Sequence, residues 1–142
     1  MDSNKIDCPE SDYLYTKASQ LLNSGTGLFT AIDIYKDEII AVFYGEILTN
    51  DQAKFRAKNG EDSYFMNLIN GKILDCINTD GFAKYANDAN GFLKSRFKNK
   101  AKITLDEDNN VCLVAIHKIK SGEEVFCSYG IKYWNKFSKS IP

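Results

Sequence analysis

Turn signals recur so often along this 142-residue chain that no apolar stretch outruns the six residues of Ile39–Tyr44. Asn23-Ser-Gly-Thr-Gly27, Asn59-Gly60, Asn70-Gly71, Asp106–Asn110 and Ser121-Gly122-Glu123 each interrupt it. Gly, Asn and Asp do this because they reach backbone angles that other side chains avoid. Runs this short are too brief for the helices of a bundle, and their β-branched and aromatic content suits strands. The pattern predicts strands at Tyr13–Ala18, Leu28–Ile32, Ile39–Tyr44 and Val125–Ser128. It predicts hairpins from Tyr64–Ile69 to Lys72–Cys76 through Asn70-Gly71, a type I′ signal, and from Ala101–Leu105 to Val111–Ile116. One short helix follows the cap-like Asn50-Asp51-Gln52-Ala53 and ends before Asn59-Gly60. Ile131, Trp134 and Phe137, three apart, mark a closing helix. Gly81–Lys100 fits neither period, and irregular backbone of that length in a small domain is often functional. The expected fold is mainly β, of several short-stranded sheets with little helix.

Composition narrows the chemistry. Eighteen Lys and Arg stand against nineteen Asp and Glu, so the whole chain does not attract a duplex non-specifically. A single histidine, His117, rules out a His-rich metal site. Cys8, Cys76, Cys112 and Cys127 lie far apart, with no CxxC pair for zinc or dithiol redox work. The last three sit in or beside apolar runs, where a buried thiol is the default. The polar start MDSNKIDCPE is no signal peptide, and six apolar residues cannot span a bilayer. The expectation is a reduced, soluble, intracellular domain. The chain is rich in rings, eight Tyr and nine Phe with one Trp.

Four short segments carry the candidate chemistry: Gly25-Thr-Gly-Leu-Phe29, Tyr44-Gly-Glu46, Asn87-Asp-Ala89 and Ser128-Tyr-Gly130. Each alone is a turn or a strand end. In this order, with Ile34–Ile40, Asp62–Leu68, Ile73–Asp75, Phe82–Asn87 and Ile119–Glu124 between and around them, the chain resembles the SET domain, the S-adenosylmethionine-dependent protein lysine methyltransferase fold. The resemblance runs from about Tyr13 to Trp134. It implies one domain over 1–142, with 1–12 an N-terminal extension, a knot-like C-terminal active-site segment, and 131–142 a closing helix and tail.

The resemblance implies roles residue by residue. Tyr129 would stand at the methyl-transfer centre, and Tyr44 would bond or wall the lysine amine. Thr26, Gly27 and Leu28 would meet S-adenosylmethionine chiefly through backbone, the glycine letting the chain come close. Asn87 would hold its methionine end and Asp88 its adenine. Tyr64 would line either the cofactor site or the lysine channel. Tyr133 and Trp134 belong to the substrate side, and two roles stay open for Trp134, roof of the channel or anchor of the last helix. Cys127 either leaves room for more than one methyl or is a structural thiol. No metal is expected.

The chain also departs from the family pattern. Asp37 replaces a Gly, Asp88 and Ala89 stand for His and Ser, and Asn90–Lys98 is an inserted loop, after which Asn99 takes the place of the family's Asn. Without a zinc-bound cap after Tyr129, self-association as a homodimer would compensate. The implied partner is a protein bearing a target lysine, such as a histone tail, with no direct nucleic-acid or membrane partner. The other function class that the residues leave open is a degenerate SET domain that binds a peptide without turnover.

Overall fold

The computed structural model describes residues 4–21, 25–62, 65–67, 72–76, 81–89, 96–108 and 110–128. Among them are nine strands: β1 (Leu14–Ala18), β2 (Thr26–Thr30), β3 (Ile39–Val42), β4 (Glu46–Leu48), β5 (Phe65–Asn67), β6 (Ile73–Asp75), β7 (Ala101–Leu105), β8 (Val111–Ala115) and β9 (Cys127–Ser128). The one α-helix among them is α1 (Asn50–Lys58). The strands form three small sheets, β1-β2, β3-β8-β7-β9 and β4-β6-β5, antiparallel except for the parallel pair β7-β9. The mainly β, short-stranded expectation is met.

Local chemistry explains most elements. β7 and β8 pair in unbroken register from Ala101↔Ala115 to Leu105↔Val111. Their loop is tied by Asp106, whose Oδ1 accepts from the N–H groups of Asp108 and Asn110 at 2.8 Å each. Those bonds favour the carboxylate, with Asn110 the main donor, and hold Asp106 below its ordinary pKa. The helix starts one residue earlier than Asn50-Asp51-Gln52-Ala53 suggests. Thr49 is its cap, accepting from Gln52 N, while the Gln52 side chain accepts from Thr49 N, a reciprocal capping box. Gly60, at φ 75°, ends it as expected.

Several strand boundaries differ from the sequence reading, and β9 keeps only Cys127–Ser128 of the expected Val125–Ser128. β2 begins at Thr26 rather than Leu28, because antiparallel pairing with β1 extends to Ala18↔Thr26. The run Ile39–Tyr44 leaves the sheet after Val42, and a separate strand, β4, begins at Glu46. Gly45 lies between them, against the Asp75 carbonyl. The core gathers Leu28, Ile34, Ile40, Leu113, Ile119, Val125 and Cys127, each at most 1% exposed. Cys76, Cys112 and Cys127 are buried and Cys8 is exposed. The Asn70-Gly71 turn, the C-terminal active-site segment from Tyr129 and the helix expected over 131–142 lie outside the described residues.

Candidate active site

Three sequence-distant segments converge at the start of β2. Asn87 lies in a parallel bridge with Phe126, and its carbonyl accepts from Cys127 N at 2.9 Å. Its side-chain Nδ2 donates to the Thr26 carbonyl at 3.1 Å, across 61 residues of sequence. Leu28, fully buried, accepts from Val125 N at 2.7 Å through its own carbonyl. Thr26, Gly27, Leu28, Asn87 and Cys127 are therefore brought together by backbone pairing and one amide.

Asp88 joins them from beneath. It is 8% exposed, and its Oδ1 accepts from Asn99 Nδ2 at 2.8 Å. The same Asn99 accepts from Ala89 N at 2.8 Å through its Oδ1. One amide thus fixes both residues that stand where the resemblance expects His and Ser. Cys127 is wholly buried, and burial with the nearby Asp88 charge pushes its thiol far above the ordinary range. A structural thiol fits that environment.

Gly27 has a further reason to be glycine. A Cβ there would overlap the Glu124 carboxylate and come within 3.1 Å of Ser19 Cα. Glu124 is 5% exposed. Its oxygens accept from Ser19 Oγ at 2.6 Å and from Gln20 N at 2.7 Å. Among the described residues, the close approach at Gly27 is to this carboxylate. In the sequence Glu124 figures only within the Ile119–Glu124 match and has no role of its own.

Tyr44 sits apart from this convergence. It is 55% exposed and borders an open cleft of about 1140 Å³ whose wall includes Ile6, Glu10, Tyr13, Ile40 and Phe82. None of Thr26, Gly27, Asn87, Asp88 or Cys127 lines that cleft. Gly81 lies beside the Tyr44 ring, where a Cβ would meet Cδ2 at 3.2 Å. The segment 81–89 thus links the Tyr44 cleft to Asn87. Along the cleft, Tyr13 donates its hydroxyl to Ile40 O at 2.7 Å, and Glu10 accepts from Val42 N at 3.1 Å. Burial raises both groups' pKa values.

A clamp buried at one end holds the turn at Tyr44. Arg56 of α1 reaches Asp75 Oδ2 at 2.8 Å with Nη1 and Glu46 Oε1 at 2.9 Å with Nη2. The Asp75 side chain is fully buried and Glu46 is half exposed. Since Glu46 and Asp75 are register partners, the guanidinium fixes the strand just after Gly45. Cys76, next along, is pushed up to about 11 by burial and then by the Asp75 charge. Nothing in the sequence paired Arg56 with acids 10 and 19 positions away.

The described end of the inserted loop, from Arg96, packs a ring against the domain. The Arg96 guanidinium lies 5.0 Å over the Phe97 ring, and Phe97 packs on Phe126 at 5.2 Å between centroids. Tyr64, Tyr129, Tyr133 and Trp134, and Lys94 of that loop, lie outside the described residues.

Known proteins share this sequence pattern and fold. The family model for the SET domain matches residues 25–130. The chain is 29% identical over 136 residues to histone-lysine N-methyltransferase EZH2 of Chaetomium thermophilum, covering 87% of this chain and 8% of that protein. It is 30% identical over 112 residues to histone-lysine N-methyltransferase CLF of Oryza sativa subsp. japonica, covering 75% of this chain and 12% of the relative. The chain therefore spans a small part of the relatives it matches. Among solved structures, apo ctPRC2 in an autoinhibited state superposes with a TM-score of 0.70 at 26% identity, over 89% of this chain and 16% of that one.

Proposed function

The chain belongs to the SET-domain family, and from that premise we propose that it is an active methyltransferase taking its methyl group from S-adenosylmethionine. The acceptor would be a lysine in a basic protein segment such as a histone tail, since the relatives named above are histone-lysine methyltransferases. A histone substrate would put the protein in the nucleus. The observation that carries the reading is the Asn87–Thr26 contact. It brings together at the edge of a packed core the residues assigned to the amino-acid end of the cofactor and to its backbone contacts.

In this reading Thr26, Gly27 and Leu28 present backbone groups to the cofactor, Asn87 holds its amino-acid end and Asp88 meets the adenine through its main chain. Bound there, S-adenosylmethionine supplies an electrophilic methyl group. The protein's own task is the amine. Free lysine has a pKa near 10.4 and must lose its proton to attack. Walls of Tyr44 and the substrate-side rings Tyr133 and Trp134 would strip water from the ammonium, which disfavours its charged form. The Tyr129 hydroxyl would hold the amine in line, and alignment of this kind supplies much of a rate enhancement.

The decisive test is labelled-methyl transfer to core histones, wild type beside Tyr129→Phe. Label that falls on the order of 100-fold or more in the variant, with the fold intact, supports the reading. A wild type that neither binds S-adenosylmethionine by calorimetry nor transfers label overturns it. That outcome favours the peptide-binding alternative.

A further inference from the structure

Glu124 is a buried carboxylate with no part in the methyl-transfer chemistry proposed above. Both of its oxygens are engaged by neutral donors, Ser19 Oγ and Gln20 N, more than 100 residues earlier. Its backbone is bridged to Phe29 of β2, and the next residue, Val125, donates to Leu28 O. Glu124 therefore grips β2 with its main chain and the exit of β1 with its side chain. From the other side, Ser19 N donates to Gly25 O at 2.7 Å.

Gly27 completes the fit. Gly25 has φ 63°, which itself favours glycine. Gly27 is not among the positive-φ glycines, so only space demands the missing Cβ, and the carboxylate fills that space. An apolar side chain at 124 would fill it too, but would leave the Ser19 hydroxyl and Gln20 N–H without these acceptors. Bonds to a carboxylate are shorter and stronger than bonds to a neutral acceptor.

We infer that Glu124 is a positioning residue for the cofactor site: its carboxylate, seated over Gly27, sets the path of the chain into Thr26 and hence the carbonyl that Asn87 engages. This rests on the reading of the site as a cofactor site. It predicts a selective defect, in which cofactor binding suffers and protein-substrate recognition at the separate Tyr44 cleft does not.

The test compares S-adenosylmethionine affinity by calorimetry, KM for cofactor and for histone, and Tm across Glu124→Gln, Ser19→Ala, Gly27→Ala, Glu124→Ala and the double variant Gly27→Ala/Glu124→Ala. Glu124→Gln keeps one acceptor, and its cofactor Kd should rise roughly tenfold, with Ser19→Ala somewhat less. Histone KM should stay within about twofold. Gly27→Ala should weaken cofactor binding in the native background and add little once Glu124 is Ala, because its obstacle is gone. Wild-type-like binding in Glu124→Gln and Ser19→Ala overturns the inference while the proposed function stands. So does a parallel fall of both KM-derived affinities with Tm, or full multiplication of the two single losses. A wild type that binds no S-adenosylmethionine overturns both. If Glu124→Ala does not fold, Glu124→Gln and Ser19→Ala still decide.

Discussion

Asp75 and Glu124 are both buried carboxylates that join strands, yet the protein stabilises them in opposite ways. Asp75 is paired with a cation, Arg56, drawn from a helix 19 residues away. Glu124 is held by a hydroxyl and a backbone N–H across 105 and 104 residues. The first solution tolerates imperfect placement, because an ion pair attracts over several ångströms. The second works only when the chain has already closed, since neutral donors must be within bonding distance. The clamp at Tyr44 is thus a local device built on charge, and the tie at Gly27 is a tertiary device built on fit.

Removing one cation should show the contrast most strongly. Arg56→Met leaves the Asp75 charge inside the protein without its guanidinium, and breaking a buried pair costs much more than forming it gained. The expected loss is the largest of the set, roughly 10 °C in Tm. Glu124→Ala should cost about half as much, because only neutral donors lose their partner. Replacing both Arg56 and Asp75 by apolar residues should recover most of the first loss. Thermal denaturation checks all three, and equal losses for Arg56→Met and Glu124→Ala would erase the distinction drawn here.

That distinction was not legible in the sequence, and the reason is physical. Signals confined to a few residues could be read: the β7–β8 hairpin around Asp106–Asn110, the helix stop at Gly60, and the buried Cys76, Cys112 and Cys127. The helix start slipped by one because Thr49 and Asn50 are both good caps, and only the reciprocal bonds with Gln52 choose between them. The split of Ile39–Tyr44 from β4 was hidden because it depends on Gly45 meeting Asp75, thirty residues on. Asn87 was found through a resemblance of motif order, which carries tertiary information that composition does not. Arg56, Asp75 and Glu124 were missed as a functional group because a buried acid and a surface acid look alike until their partners are known.

The thiols beside these carboxylates separate the two regions by pH. Cys76 lies next to Asp75, and Cys127 lies near Asp88 at the Asn87 convergence. Both are raised above the ordinary 9.0, chiefly by burial. The unfolded chain releases these protons as pH passes 9.0, while the folded chain retains them. Stability from this source is therefore complete below 9.0 and falls as pH rises. For Cys76 the fall levels off near 11, where the folded thiol also ionises. For Cys127 it continues further. Urea midpoints should decline above pH 9, Cys76→Ala and Cys127→Ala flattening the decline about equally up to 11 and Cys127→Ala alone flattening it beyond. The reverse order would mean that the convergence around Asn87 is the wetter of the two regions.

The smallest expected effect lies between them, at the turn into β3, and has the opposite sign. Asp37 is the one non-glycine residue with positive φ among those described, at 75°. It stands where the resemblance to SET domains expects glycine. Its N–H donates to Ala115 O at 2.7 Å, and Ala115 N returns a bond to Glu38 O at 3.0 Å, so the sheet imposes this backbone conformation on whatever residue occupies the position. A side chain there is strained, but aspartate is among the residues that bear it best, and glycine would add entropy to the unfolded chain. The two terms nearly offset. Asp37→Gly should stabilise by only about 0.5 kcal/mol, measurable as a small rise in urea midpoint with unchanged m-value. A loss instead would mean that the Asp37 carboxylate contributes more to the turn than its backbone strain removes, and that the glycine of the family pattern is here replaced to advantage.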